Sequence, residues 1–246
     1  MLPKLTSQEK TRYARHLTLP HFGEESQRRL KNASALIIGV GGLGSPVALY
    51  LAAAGIGKLG LVDADVVDES NLPRQILYET GDIGRPKVEA AARRLERVNP
   101  DVRVIPFRAR FEGTNAARLA ADYDILLDCS DNFPTRYLIN ETCVRLGKPE
   151  VYGAVYQYEG QVAVFDARTG PCYRCIFPDA PSGNASNAIL SPVPGVIGLL
   201  QAIEALKLLA GIGSALQSRL ALYDALNATL ETVQLKKNPH CPVCSI

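Results

Sequence analysis

Apolar and polar positions alternate along this chain with two different periods, and the changeover divides it. "ASALIIG" is a continuous apolar run, as a fully buried strand requires. "GSPVALYLAAAG" follows as a helix with Pro46 in its first turn. "KLGLVDAD" reads as a second strand, and "RPKVEAAARRLERVN" as an amphipathic helix that stops at Asn99-Pro100. "VRVIPF", "TNAARLAAD", "YDILLDCS" and "FPTRYLINETCVRLG" continue the alternation as strand, helix, strand and helix. Regular alternation of this kind implies right-handed crossovers and a parallel sheet.

Beyond residue 148 the pattern changes. "PEVYGAVYQYEGQVAVFD" reads as strand, turn, strand, with the turn near Glu159-Gly160. A polar segment from Pro178 to Pro194 has little periodicity, and a loop of that length is usually functional. "GVIGLLQAIEALKLLAG" is apolar on most faces and reads as a buried helix or an oligomer interface. "RLALYDAL" and "TLETVQL" suggest a closing hairpin. Ahead of the first strand, Thr6 and Glu9 have capping-box spacing. A helix from about Ser7 to Leu17 and another from Phe22 to Lys31 are expected there. The fold expected is α/β: a Rossmann-like sheet, parallel in its N-terminal half and mixed to antiparallel in its C-terminal half. Residues 1–246 are taken as one domain, with N-terminal helices over 1–32 and a nucleotide-binding half over 33–148.

Composition narrows the function classes. A net charge of +2 gives no electrostatic case for nucleic acid. Leu36 to Gly57 carries no charge and is long enough to span a bilayer, but its clustered glycines and Pro46 suit strand, turn and buried helix better. No membrane partner is expected. Six cysteines without an apolar leader suggest reduced thiols and a cytoplasmic location.

The chemistry starts at "GVGGLG", whose Gly39, Gly41, Gly42 and Gly44 fit the turn that lets a backbone approach phosphate at a helix N-terminus. Asp63, ending the next strand, is placed to bind ribose hydroxyls. Alone, this admits an NAD(P)-binding oxidoreductase or a bare packing turn. The following segment supplies Asp65, Asn71, Arg74 and Gln75. Lys87 opens the next helix, and Asp131, Asn132 and Arg136 follow the "YDILLDCS" strand. Strand C-termini of a parallel sheet face one crevice, so Arg74, Lys87 and Asp131 are expected to converge. Two cations and a carboxylate suit a triphosphate with Mg²⁺. Asp131 as a helix N-cap and the cations as surface charges are the bland alternatives.

Cys172 and Cys175 in "CYRC", with Cys241 and Cys244 in "CPVC", have the spacing of a closed Cys₄ Zn²⁺ site stapling the tail to the fold. Cys129 and Cys143 read as buried small hydrophobes.

Taken in order, "RYARH", "GVGGLG", "LVDADVVDESNLPRQ", "GRPK", "DCSDN", "CYRC", "PGVIG" and "CPVC" resemble the ThiF/MoeB/HesA adenylyltransferases, bacterial relatives of the ubiquitin-activating enzymes. The resemblance implies binding of ATP and Mg²⁺, adenylation of the C-terminal glycine of a ubiquitin-like sulfur carrier ending in Gly-Gly, and a carrier-binding half over 149–246. By the same resemblance Gly42 and Ser70, Asn71, Leu72 and Arg74 contact ATP, Asp63 the ribose, and Arg74 and Lys87 the phosphates. Asp131 holds Mg²⁺ with Asn132 beside it. Arg15 reaches the site of a second subunit, which implies a homodimer. The chain departs from many relatives at Asn184, where they carry cysteine, and at Ser186, Ala188 and Ser191. No rhodanese-like stretch follows Cys244, so sulfur is expected from a separate donor such as a cysteine desulfurase or a rhodanese. A catalytically silent module that docks a ubiquitin-like tail stays as a further alternative.

Overall fold

A computed structural model describes residues 2–180 and 188–245. In chain order the elements are α1 (Ser7–Arg12), α2 (Ala14–Leu17), α3 (Gly23–Asn32), β1 (Ser34–Ile38), α4 (Gly44–Ala54), β2 (Lys58–Val62), α5 (Lys87–Val98) and β3 (Arg103–Phe107). Then come α6 (Ala116–Ala120), β4 (Ile125–Asp128), α7 (Phe133–Leu146), β5 (Glu150–Tyr156), β6 (Glu159–Phe165), α8 (Tyr173–Ile176), α9 (Pro192–Ala210), β7 (Arg219–Asp224) and β8 (Thr229–Gln234).

The strands form one sheet in the order β3-β2-β1-β4-β5-β6-β7-β8. Pairing is parallel from β3 to β5 and antiparallel from β5 to β8. The parallel half and the antiparallel half thus share one sheet, as the change of pattern predicts. The chain winds outward from β1 to β3, then returns to place β4 on the other side of β1. That reversal opens a crevice at the strand C-termini.

Strand β1 is buried along its whole length because both faces are covered. Ala35 and Ile37 pack with Leu30, Val47, Leu51, Val88 and Ile197 from α3, α4, α5 and α9. Leu36 and Ile38 pack with Ile139 and Cys143 of α7 on the opposite face. A third cluster, Tyr152, Phe165 and Tyr173, lies farther along that face. The uncharged stretch Leu36–Gly57 is accordingly β1, a turn and α4. Helix α9 is long and apolar enough to cross a membrane, and half of it is buried within this fold.

Two local expectations need correction, and the turn expected near Glu159-Gly160 is found directly before those residues. The helix expected over Ser7–Leu17 breaks at Tyr13, whose φ of −97° and ψ of 15° leave the helical region, although the Thr6/Glu9 capping box forms. The β5–β6 turn falls at Gln157-Tyr158, with Gln157 at φ 51°. Gly160 lies instead inside β6, where a Cβ would run into Ile197 of α9. Helix α9 starts at Pro192, before the expected Gly195. Asn184 and Ser186 lie outside the described residues.

Candidate functional site

A cavity of about 980 Å³ occupies the crevice at the β1/β4 reversal. Its floor is the glycine turn. Gly39 has φ 89°, and a Cβ there would stand 2.6 Å from the Cys129 carbonyl oxygen. Gly44 opens α4, where a Cβ would run into the Gly39 carbonyl. These two glycines let the turn close on itself; Gly41 and Gly42 line the cavity.

The turn is clamped from two sides. Asp63 Oδ2 accepts the Val40 N–H at 2.8 Å, and its Oδ1 accepts the Asp65 N–H at 2.9 Å. Burial pushes the Asp63 carboxyl above its usual range, although both N–H donors and Lys87 pull the other way. Tyr78 donates its hydroxyl to the Val40 carbonyl at 2.7 Å. Tyr78 was not singled out in the sequence, because a tyrosine far down the chain carries no local mark of this contact.

The charged groups come together as the topology predicts. Arg74, Lys87 and Asp131 line the cavity with Asp63, Asp65, Gln75 and Asn132. Lys87 Nζ lies 3.2 Å from Asp65 Oδ2. Gln75 is buried, and its Oε1 has no hydrogen-bond partner among the described residues. Asp131 is exposed and is not the helix cap. Asn132 caps α7, accepting the Thr135 N–H at 3.0 Å. The surface-charge alternative fails for Lys87, which is buried, while Arg74 is partly anchored by donating to the Ser70 carbonyl at 2.9 Å.

Three expected residues support the wall without forming it. Ser70 and Asn71 belong to a short 3₁₀ turn capped by Asp68, and Leu72 packs against the main core. Arg15 stands exposed on α2, away from the cavity lining. The loop after β3 was overlooked: Ala109, Arg110, Phe111, Glu112 and Gly113 form one side of the cavity. The rule that placed the other loops, strand C-terminus facing the crevice, applies to it equally.

Apart from the cavity, Cys172, Cys175, Cys241 and Cys244 bring their sulfurs within 4.8 Å of one another. Sγ separations are 3.9 Å for Cys172–Cys175, 3.7 Å for Cys172–Cys241 and 3.4 Å for Cys175–Cys244. Four thiolates about 2.3 Å from a tetrahedral Zn²⁺ stand about 3.8 Å apart, so the set fits that ion. Burial raises the Cys172 thiol. At Cys241 burial is outweighed by the Val243 and Cys244 N–H groups and the neighbouring thiols, which hold it at about 7.

Sheet order and cavity together define a doubly wound α/β protein with its ligand crevice at the topological switch point. The particular family follows from the whole length: residues 13–243 match the ThiF family, and the chain belongs to it. A sulfur carrier protein adenylyltransferase of Thermus thermophilus is 49% identical over 249 residues, covering 97% of this chain and 92% of that protein. A SAMP-activating enzyme E1 of Haloferax volcanii is 45% identical, covering 99% and 92%. The adenylyltransferase and sulfurtransferase MOCS3 of Sus scrofa is 46% identical over 98% of this chain but only 54% of its own length. The crystal structure of E. coli MccB with MccA-N7isoASN superposes with a TM-score of 0.87 at 23% identity, covering 98% of this chain and 76% of that one. That likeness is one of fold.

Proposed function

We propose that this chain is an ATP-dependent adenylyltransferase acting on the C-terminal glycine of a ubiquitin-like sulfur carrier. The observation that carries the reading is the convergence of Arg74, Lys87 and Asp131 around a glycine turn in one cavity. The names of the relatives support the same chemistry. Hydride transfer to a dinucleotide gives no account of two cations and a carboxylate at this place.

In this reading the nucleotide lies along the glycine turn, with Asp63 at the ribose and Gln75 Oε1 free to accept a hydrogen bond from it. Arg74 and Lys87 face the phosphates. Asp131 holds Mg²⁺, whose charge offsets that of the triphosphate. A carrier carboxylate oxygen attacks the α-phosphorus, forming the acyl-phosphate bond. The bond from the α-phosphorus to the β-bridging oxygen breaks, and its electrons leave with pyrophosphate. No proton has to move, because the attacking carboxylate is already ionised. The chain's contribution is positioning and charge stabilisation. Arg15 acts on the site of a second subunit in a homodimer. The four cysteines hold Zn²⁺ in a closed, structural set with no open position. Sulfur comes from a separate donor protein.

ATP–pyrophosphate exchange with ubiquitin-like proteins ending in Gly-Gly tests this. Carrier-dependent exchange is the expected result. ATP binding without exchange for any carrier would favour a silent docking module. NAD binding in place of ATP would overturn the reading.

A further inference from the structure

The mechanism above leaves a buried charge cluster unused. It lies behind the Asp131 turn, between β4, β5, α7 and α8. Asp128 and Glu150 are completely buried on these neighbouring strands, where Asp128 pairs with Tyr152 and Leu126 with Glu150. Arg136 is the cation beside them and is itself buried. Burial works against its charge, and Asp128 together with Tyr152 and Tyr173 outweighs burial. Asp128 Oδ2, both Glu150 oxygens and Arg136 Nε have no hydrogen-bond partner among the described residues.

One face of α7 carries Asn132, Arg136 and Asn140 at four-residue steps. Each grips a neighbour. Asn132 caps the helix beside Asp131. Arg136 Nη2 donates to the Ser130 carbonyl at 3.3 Å. Asn140 Oδ1 accepts the Tyr173 N–H at 2.9 Å. Tyr173 sits between Cys172 and Cys175 and is fully buried. Its ring lies 5.2 Å from that of Tyr152, and the Arg136 guanidinium lies 5.8 Å from the Tyr152 ring. The cysteine knuckle and the Asp131 turn are therefore tied to one face of one helix, one to two helical turns apart. Arg136 also belongs to the cavity wall.

We propose that Arg136 is a positioning residue that couples the Cys₄ knuckle to the Asp131 turn, so that ordering either site stabilises the other. A buried guanidinium that bonds the Ser130 carbonyl, lies beside the Tyr152 ring and balances the charge of Asp128 and Glu150 at longer range cannot shift alone, because it would leave buried charge uncompensated. Displacement of the knuckle therefore reaches the Ser130 carbonyl and the carboxylate next to it. The inference rests on the ATP and zinc readings above.

The test uses the zinc-loaded protein and follows zinc transfer to a chromophoric chelator, with and without saturating Mg·ATP. Coupling is reciprocal in affinity, so bound nucleotide is expected to tighten zinc by about fivefold, the low end of ordinary two-site coupling, and the tightened site to release its zinc correspondingly more slowly. In Arg136→Lys and Asn140→Ala the ratio is expected to fall to about one while both ligands still bind. The second variant leaves the buried charges intact, so it stays informative if the first does not fold. A purely structural Arg136 would change stability without moving this ratio. Unslowed release in the wild type despite bound Mg·ATP, or slowing retained in both variants, overturns the coupling. Zinc without ATP binding overturns the nucleotide reading along with it, and ATP without zinc overturns the zinc reading.

Discussion

The ammonium of Lys87 is 3.2 Å from the Asp65 carboxylate, yet the Lys87 side chain is 7% exposed and that of Asp65 is 67% exposed. A cation held inside the wall by a partner standing in solvent is positioned for a second anion. Its bond to Asp65 is screened by water and contributes little stability. Lys87→Met keeps the apolar stem and removes the charge. Pyrophosphate exchange is expected to fall by about a hundredfold, the usual effect of losing one transition-state donor. The melting temperature is expected to hold or rise. Exchange within threefold of wild type would remove Lys87 from the phosphate role.

The four cysteines close a loop from α8 to the tail beyond β8, so metal removal should act on stability. A loss of about 3 kcal/mol lowers the melting temperature of a chain this size by roughly 6–12 °C. Chelation, or Cys244→Ser, is expected to show that drop in a thermal scan, together with faster proteolysis of the C-terminal tail. A metal-free preparation of equal stability, with all four thiols titrating freely, would dismiss the zinc reading.

Glu150 provides a test by pH. Burial pushes its carboxyl well above the usual range, and Asp128 adds to the shift against the pull of Arg136. A carboxyl raised in the fold favours the folded state at low pH and loses that contribution as pH rises towards its folded value. Above about pH 4.3 an unfolded glutamate ionises, and each further unit costs the fold up to about 1.4 kcal/mol until Glu150 itself ionises. Glu150→Gln removes this dependence. The melting temperatures of variant and wild type are expected to lie close at pH 5 and to separate towards pH 8, with the variant higher. Parallel curves would show that Glu150 is ionised in the fold throughout.

What could be read in advance follows from where the information sits. The run Leu36–Gly57 carries its own punctuation, so β1, the turn and α4 were legible as one unit. Arg74, Lys87 and Asp131 were legible as a group because each follows a strand C-terminus, and the parallel sheet makes those ends neighbours. The β5–β6 turn was legible to within two residues, but Gly160 owes its place to the close approach of α9, which is a tertiary fact. The same holds for Glu150 and Asp128, whose electrostatic interaction depends on strand register. Nothing in the residues beside Glu150 distinguishes it from a surface glutamate.

Arg15 tests the assembly. It is exposed on α2 and contributes nothing to the cavity of its own chain. If it serves a neighbouring site, Arg15→Ala and Asp131→Ala chains are each inactive alone. Mixed, they form heterodimers in which one site keeps both residues. Up to about a quarter of wild-type exchange is expected if half the dimers are mixed and one of their two sites works. No recovery despite verified subunit exchange would place Arg15 outside the mechanism.

The last expectation concerns sulfur. A carboxylate adenylate is already an activated acyl group, and a cysteine in the enzyme is useful only to pass that group through its own sulfur. Asn184, outside the described residues, has no thiolate to offer. Cys129 belongs to the cavity wall, but its Sγ is buried and donates to Gln201 Oε1 at 3.7 Å. Burial, reinforced by Asp128, pushes its thiol well above the usual range, which leaves almost no nucleophilic thiolate at neutral pH. Cys143 is buried within α7 and shifted the same way by burial. The other four thiols are committed to the knuckle. The chain is therefore expected to form carrier adenylate without any thioester or acyl disulfide to itself. Mass spectrometry of protein, carrier, ATP and a sulfur donor under non-reducing conditions decides this. A thiol-sensitive adduct on Cys129 would show that the β4 end opens during turnover, and one on a knuckle cysteine would show that the metal set is not closed.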